Sequence, residues 1–256
     1  MTRFVFTLLS ALASAGTLRK DAVDTTLDRS GATKLTLRVC NAYPYEAHLD
    51  VYRGKSEKLT EKGPLAYRSC EDLQTKLKSG DKLEFRVGAA NAGTFSVSEV
   101  PDHNNLLLLV IYRHDTVSTQ VSFASHVFSR LMNAQAAVID TYRGKETAKL
   151  SIKDAREKSH PRDEELRYNS VVALNKGEYR VVMNTAEGAV TRDLVALNGE
   201  SYVILRTGVA AQGGPSYSED LVVFPQSDAK ELEKSGGASL AVTSLALAVV
   251  ARAWFA

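Results

Sequence analysis

A hexapeptide that carries aromatic, acidic and basic side chains occurs twice in the chain. DVYRGK at 50–55 recurs as DTYRGK at 140–145. An aromatic ring beside a carboxylate and a guanidinium can stack on a sugar face while the charged groups hydrogen-bond the sugar hydroxyls. The predicted binding residues are therefore Asp50, Tyr52, Arg53, Asp140, Tyr142 and Arg143. The alternative is structural, with Gly54 and Gly144 serving turns and the tyrosines covering a sheet edge.

Motifs for catalysis are missing from the sequence. It contains no G-x-S-x-G, no H-E-x-x-H, no phosphate-binding glycine loop and no C-x-x-C. We therefore predict a protein that is not an enzyme and that uses no cofactor and no metal. His103 and His114 each adjoin an aspartate, so a metal site remains an alternative. Ser79 to Lys82 matches S-x-x-K, but it falls in a predicted hairpin turn, and a hydrolase or acyltransferase is the least favoured hypothesis.

The internal match extends beyond the hexapeptide and indicates a duplication. Val110-Ile111-Tyr112-Arg113 matches Val203-Ile204-Leu205-Arg206, and shorter matches join Arg38, Asn41 and Ala42 to Arg130, Asn133 and Ala134, and Val127-Phe128 to Val223-Phe224. The repeat is too long for a solenoid and has the size of a small β-sandwich. We predict one domain over 34–128 and a second over 129–226.

Alternating apolar and polar residues predict strands in both domains. Leu35, Leu37 and Val39 alternate with polar neighbours, as do residues 117–123. Residues 106–112 are continuously apolar, which predicts a central strand covered on both faces. Turn signals occur at 79–81, 91–93, 175–177 and 198–199. The predicted fold class is all-β, with two tandem immunoglobulin-like β-sandwiches. Residues 151–158 are expected to form a helical turn or an exposed loop, and 229–234 a short helix.

The two ends of the chain have the pattern of export and anchoring signals. Residues 1–15 carry Arg3, an apolar run and small residues before the expected cleavage site, which is typical of a secretory signal peptide. A linker is expected over 16–33. At the other end, a polar spacer over 227–237 precedes an apolar tail over 238–256, and both apolar ends are expected to be helical. Ser227 begins a small-residue triplet suited to GPI attachment. A plain C-terminal membrane helix and neither form of anchor remain alternatives.

The cysteine and charge counts agree with export. The two cysteines, Cys40 and Cys70, predict one disulfide, with two separately buried thiols as the alternative. Lys and Arg number 32 against 30 Asp and Glu. Because Arg3 and Arg252 lie in the apolar ends, the exported body is neutral, which argues against nucleic acid as a partner.

The strand openings resemble two known families. Residues 37–42 running to 49–54 are similar to a bacterial surface domain of unknown function, whose sequences begin "VRVVNA" and continue to "VDVYVDG". The tandem arrangement, with Gly177-Glu178-Tyr179 followed by residues 202–205, resembles the alginate biosynthesis protein AlgF family. That resemblance implies a periplasmic pair of β-sandwiches that assists polymer O-acetylation without its own catalytic centre. The apolar tail and the disulfide depart from that family.

These observations predict a non-catalytic exported protein that is held at the cell surface by its C-terminal tail. Its expected partner is an extracellular polysaccharide. The resemblance implies an accessory role in the O-acetylation of an alginate-like polymer. The alternative is an adhesion or receptor protein that binds a surface protein. A bacterial setting would make the location periplasmic, whereas a GPI anchor would imply a eukaryotic cell.

Overall fold

The computed structural model describes residues 33–100, 105–129, 131–156 and 163–234, which are almost entirely strands. The first half contains β1 (Thr33–Ala42), β2 (Leu49–Arg53), β3 (Glu57–Lys58), β4 (Ser69–Leu77), β5 (Lys82–Val87), β6 (Ala90–Ser96), β7 (Leu106–Arg113) and β8 (Val121–Phe128). The second half contains β9 (Ala134–Asp140), β10 (Lys149–Asp154), β11 (Asp163–Leu166), β12 (Ser170–Leu174), β13 (Gly177–Thr185), β14 (Gly188–Ala196), β15 (Ser201–Val209) and β16 (Tyr217–Phe224). A short helix, α1 (Lys230–Lys234), follows. The predicted signal peptide and apolar tail lie outside the described residues.

The strands form four sheets with one strand order used twice. Sheet I has the order β4-β1-β7-β8 and sheet II the order β3-β2-β5-β6. Sheet III has the order β12-β9-β15-β16 and sheet IV the order β11-β10-β13-β14. Neighbours are antiparallel except β1 with β7 and β9 with β15, which are parallel. Each half is therefore a β-sandwich, and β1 to β8 match β9 to β16 in order.

Three apolar cores separate the four sheets. One core lies between sheets I and II and includes Leu37, Val51 and Phe85. A second lies between sheets III and IV and includes Val138, Ile152 and Met183. The third joins sheets I and III and consists of Cys40, Ala42, Leu108, Val110, Phe128, Ala137, Ile139, Val203 and Leu205. The sandwiches are therefore stacked face to face through their central sheets.

This stacking explains why two strands are apolar without alternation. Odd-numbered apolar residues of β7, such as Leu109, face the first sandwich core, whereas Leu108 and Val110 face the second sandwich. All nine residues of β15 are buried in the same way. The prediction that residues 106–112 form a strand covered on both faces is confirmed, and the second sandwich supplies the outer cover.

Arg38 is a buried polar residue in the contact between the sandwiches. Its side chain is 2% exposed and forms two hydrogen bonds of 2.7 Å with the Asp72 carboxylate. It also donates to the Ser201 carbonyl of the second sandwich and lies 4.9 Å from the Phe224 ring centroid. A buried charge needs such partners because desolvation otherwise disfavours it.

The predicted disulfide between Cys40 and Cys70 is confirmed, and it joins the paired strands β1 and β4. In the second sandwich the matching strands are β9 and β12, where Ala137 pairs with Val171. Cys40 pairs with Val110 and Ala137 pairs with Val203, which places Cys40 and Ala137 at matching positions. The cross-link is therefore confined to one of two otherwise matching strand pairs.

Three local expectations were wrong. Residues 151–154 belong to strand β10 rather than to a helical turn or loop, because Leu150 and Ile152 enter the core while β10 pairs with β13. Residues 91–93 lie inside β6 rather than in a turn. The alternating set at 117–123 is strand only from Val121 onward, and Val117 is 66% exposed.

Other local expectations are confirmed. The segments at 79–81, 175–177 and 198–199 connect consecutive strands, and Gly199 adopts a φ of 77° that favours glycine. The short helix expected at 229–234 is α1, which Asp228 caps by accepting a 2.9 Å hydrogen bond from the Lys230 amide. Within the described part of the chain, no helix has the length and apolar character needed to span a membrane.

Candidate functional site

The first predicted binding triplet, Asp50, Tyr52 and Arg53, lies on strand β2, and all three side chains contact neighbouring residues of the chain. The Asp50 carboxylate accepts a 2.8 Å hydrogen bond from the Thr60 hydroxyl and lies 2.9 Å from the Lys58 ammonium. The Arg86 guanidinium lies 4.2 Å from the centroid of the Tyr52 ring. Arg53 forms an ion pair with Glu57 and donates to the Lys76 carbonyl. Because Leu49 and Val51 face the core, Asp50 and Tyr52 lie on the outer face of sheet II.

The second predicted triplet lies at the end of strand β9, which matches β1 rather than β2. Tyr142 is 8% exposed, its hydroxyl donates a 2.6 Å hydrogen bond to Glu146, and the Arg206 guanidinium lies 4.3 Å from its ring centroid. Arg143 donates to the His114 carbonyl at 3.0 Å and lies over the Tyr112 ring of the first sandwich. The repeated hexapeptide therefore occupies two different places in the strand order.

The two triplets do not form one surface. No contact joins them among the residues that the structure describes, and Tyr142 offers little free ring surface for stacking. Asp140 and Tyr142 instead meet around Arg206, whereas Arg143 contributes to the contact between the sandwiches. Binding by these six residues remains a prediction.

Arg206 is the centre of a buried polar cluster in the second sandwich. The side chain is 3% exposed and lies 3.1 Å from the Asp140 carboxylate and 2.7 Å from the Glu219 carboxylate. It also donates to the Glu146 carbonyl at 2.7 Å. Burial opposes the charge, but Asp140 and Glu219 outweigh it, so the pKa of Arg206 is raised. The cluster satisfies this arginine from within the chain.

Arg113 occupies the matching position in the first sandwich, where the described part of the chain places no carboxylate in an ion pair with it. The side chain is 6% exposed, and its Nε donates a 2.6 Å hydrogen bond to the Ser118 carbonyl. Its Nη2 atom is buried and has no hydrogen-bond partner among the described residues. By strand pairing, Tyr43 stands where Asp140 does, and Thr119 stands where Glu219 does. Neither replacement can neutralise a guanidinium.

Two tyrosines form a ledge beside Arg113. Tyr43 and Tyr45 follow strand β1, with their ring centroids 6.3 Å apart and their planes inclined at 35°. Asn41 fixes this turn, because its carbonyl oxygen accepts from the Tyr43 amide and its amide group donates to the Leu65 carbonyl. The Tyr43 hydroxyl donates to the Thr119 carbonyl at 2.7 Å, and burial raises the pKa of this phenol. Tyr45 is 49% exposed.

A cavity lies on each side of the ledge. The first, which we call the tyrosine cleft, has a volume of about 630 Å³ and is lined by Tyr43, Tyr45, Val87, Ala90, Asn91, Ala92, Ser118, Thr119 and Gln120. The second, the junction pocket, has a volume of about 410 Å³ and is lined by Tyr43, Pro44, Tyr45, Glu46, Ala47, Arg113, Thr119, Gly213, Gly214, Pro215 and Tyr217. The tyrosine ledge is common to both cavities, and the second sandwich supplies one wall of the junction pocket.

Sequence reasoning did not single out Tyr43, Tyr45 or Arg113 as site residues. The available signal was the Tyr-Pro-Tyr run after a strand, because aromatic residues placed on a loop often serve recognition. Among the described residues, no group of three or more His, Cys, Asp or Glu side chains could hold a metal ion. His114 hydrogen-bonds Ser122, whereas His103 lies outside the described residues. Ser227 is described, and its hydroxyl lies 3.0 Å from that of Tyr202.

Comparisons with known proteins add little to this geometry. No family model matches the chain, and no curated protein matches it. One solved structure that matches part of the chain is that of a Bacteroides fragilis protein described as a "putative cell adhesion protein". It is 10% identical, and the match covers 77% of this chain and 98% of that chain with a TM-score of 0.20. A match at that level carries no argument about this chain, and the resemblance to the AlgF family remains a prediction.

Proposed function

We propose that this chain is a non-catalytic, exported binding protein that recognises an extracellular polysaccharide through its tyrosine ledge. The observation that carries the proposal is the half-exposed ring of Tyr45 beside two cavities. A tyrosine ring gives a sugar an apolar face to stack on, and its rigidity keeps the entropy cost of binding low. The exposed amides of Asn91 and Gln120 line the tyrosine cleft and can hydrogen-bond sugar hydroxyls.

The ledge fits this task better than the repeated hexapeptide does. Tyr142 is largely buried, and Arg86 covers one face of Tyr52. Among the described residues, the Tyr45 ring contacts the ring of Tyr43 and no other aromatic ring, and Tyr45 lines both cavities. A role in O-acetylation of an alginate-like polymer, implied by the family resemblance, stays part of the hypothesis without further support.

The experiment is glycan-array and affinity-electrophoresis binding with tyrosine variants. We expect Tyr45→Ala to weaken polysaccharide binding by about five-fold or more, taking for a sugar on this ring the about 1–3 kcal/mol that a nucleobase gains by stacking on an aromatic side chain. Tyr45→Phe keeps the ring and should retain most of the affinity. Tyr52→Ala and Tyr142→Ala test the hexapeptide residues, and a loss of binding in these variants but not in Tyr45→Ala would place the site at the hexapeptide instead of the ledge. Absence of binding to every acidic and neutral glycan would remove the proposal.

A protein partner is the second candidate function. The connection between the sandwiches exposes two apolar side chains, Leu131 at 47% and Met132 at 87%. Exposed apolar residues in a defined place are typical of protein contacts. Adhesion through a surface protein would be insensitive to glycosidase treatment of the partner and would weaken in a Met132→Ser variant but not in Tyr45→Ala.

Tethering at the membrane belongs to the same proposal. Ser227 follows the last strand, and the predicted apolar tail begins eleven residues later, which suits lipid attachment at Ser227. Treatment of intact cells with phosphatidylinositol-specific phospholipase C should release the protein. Retention of both the wild type and a variant lacking residues 238–256 would contradict anchoring by the tail.

We also infer that the two immunoglobulin-like sandwiches descend from one duplicated module. The common strand order, the parallel pair in the same place and the matching arginines Arg113 and Arg206 support this inference. The repeated hexapeptide does not, because its copies lie on non-matching strands. The matches of Arg38 with Arg130 and of Val127 with Val223 are likewise displaced from the strand register.

A further inference from the structure

Arg113 is a buried cation that forms no ion pair with a carboxylate among the described residues. A guanidinium group has five donors, and a donor buried without a partner costs its full desolvation energy. In Arg113 the Nε atom has a partner, whereas Nη2 has none among the described residues. Such a group is expected to have a partner that the polypeptide itself does not provide.

The second sandwich shows which chemistry satisfies this position. There, the matching Arg206 is held by two carboxylates, those of Asp140 and Glu219. Tyr43 and Thr119 replace these acids around Arg113, and the hydroxyl of Tyr43 is already committed to the Thr119 carbonyl. Carboxylates fill this place in the second sandwich and can bind a guanidinium bidentately, so a carboxylate is the expected partner at Arg113.

The position of Arg113 allows a ligand to supply that group. Arg113 lines the junction pocket, whose volume of about 410 Å³ is sufficient for one sugar residue. Tyr43, Tyr45 and Tyr217 line its walls, and the half-exposed ring of Tyr45 suits a pyranose face. Because the tyrosine ledge borders both cavities, one oligosaccharide can occupy the tyrosine cleft and extend into the junction pocket.

Glu46 limits this anion affinity. It is exposed at the junction pocket and forms no ion pair with Arg113 among the described residues. An acidic ligand would approach this carboxylate as well as the arginine, so Glu46 should weaken binding of an anion. That opposition makes Glu46 a useful probe, because an exposed side chain can be changed with little effect on folding.

We infer that the junction pocket is a subsite for a sugar acid, whose carboxylate pairs with the Arg113 guanidinium. This inference rests on the proposed polysaccharide function and adds that the polymer is acidic. A carboxylate on an acidic peptide has the same charge, but the exposed ring of Tyr45 at the pocket favours a sugar.

The experiment compares an oligogalacturonate with the same oligomer after chemical reduction of its carboxyl groups. Isothermal titration with the full folded protein should show the acid form binding at least ten-fold more tightly. Arg113→Gln should remove that preference, so that the acid form and the reduced form bind with similar affinity. Glu46→Gln should strengthen binding of the acid form by a few-fold and leave the reduced form unaffected.

The outcomes separate this inference from the proposed function. If the wild type binds both oligomers equally, or if Arg113→Gln keeps the preference for the acid, the acidic subsite is wrong and polysaccharide binding stands. If the wild type binds neither these nor any other glycan, the proposed function itself fails. Binding of poly-glutamate that depends on Arg113, without binding of the galacturonate, would also overturn the sugar acid. Should Arg113→Gln fold poorly by circular dichroism, the Glu46→Gln arm still decides, because an unchanged affinity for the acid would contradict the inference.

Discussion

Arg113 and Arg206 lie at matching positions in two sandwiches of the same strand order, yet their surroundings are opposite. Arg206 has two acidic partners and a tyrosine ring within its own sandwich. Arg113 has one carbonyl partner and a cavity. The difference arises at two pairs of matching positions. Tyr43 stands where the second sandwich has Asp140, and Thr119 stands where it has Glu219. The same strand order therefore surrounds a buried arginine with acids in one sandwich and, as we propose, leaves it to a ligand in the other.

The comparison predicts unequal stability losses when each arginine is neutralised. Arg206→Gln leaves Asp140 and Glu219 partly buried without their cation, which typically costs about 3–5 kcal/mol. Arg113→Gln breaks no ion pair, and we expect a loss within about 1 kcal/mol. Urea unfolding followed by circular dichroism measures both. Equal losses would show that the two arginines have the same structural role.

The disulfide is a second difference between the sandwiches, and the second sandwich supplies its natural replacement. Cys40→Ala with Cys70→Val installs the residues found at 137 and 171. We expect a loss of about 2–4 kcal/mol, because the cross-link restricts the unfolded chain. Reductant should lower the stability of the wild type by a similar amount. A reductant effect that persists in the double variant would contradict the disulfide as its cause.

The third prediction converts the surroundings of Arg113 towards those of Arg206. Thr119→Glu places a carboxylate where Glu219 stands, so the free energy of unfolding should rise by about 1 kcal/mol. The same change should abolish the preference for an acidic oligomer, because the subsite is then filled from within. Thr119→Gln introduces a side chain of nearly the same size without the charge. It should neither raise the free energy of unfolding nor abolish the preference for the acidic oligomer. A stabilised variant that still prefers the acid would separate Arg113 from ligand binding.

Local pattern predicted much of the fold. The disulfide, the turn at 198–199 and the doubly covered strand at 106–112 follow from residues close in sequence or from burial. Strand β10 was missed because its apolar residues, Leu150 and Ile152, sit among charged neighbours. Its identity as a strand depends on pairing with β13, which no short window reveals.

The candidate site was harder to predict because it depends on which residues, far apart in sequence, lie beside Arg113 and on their lacking a carboxylate. The sequence around Arg113 does not reveal that the arginine has no carboxylate partner there, because the positions that would supply one, 43 and 119, are recognised only from the strand pairing. The hexapeptide is a similar case, because the segments 50–55 and 140–145, which share five of six residues, begin on the non-matching strands β2 and β9. Sequence similarity within a chain therefore locates repeats less reliably than the register of paired strands.

The smallest expected effect concerns the tyrosine that accompanies Arg206. The Tyr142 hydroxyl donates to Glu146 and is the main reason that the pKa of this carboxyl is lowered. A lowered folded-state pKa stabilises the protein above the ordinary carboxyl value of 4.5, and the stabilisation disappears as pH falls through the folded pKa. Tyr142→Phe should therefore lower the melting temperature at pH 7, on the order of 1–2 °C, with a smaller difference at pH 3.

Tyr168 provides the control for this measurement. Burial raises the pKa of its phenol to about 12, and its hydroxyl has no hydrogen-bond partner among the described residues. Because removing an unpaired buried hydroxyl breaks no bond, Tyr168→Phe should leave the pH dependence unchanged and the melting temperature equal or higher. If Tyr168→Phe instead reproduced the pH-dependent loss of Tyr142→Phe, the effect would come from removing a neutral phenol hydroxyl near Arg206 rather than from the bond to Glu146.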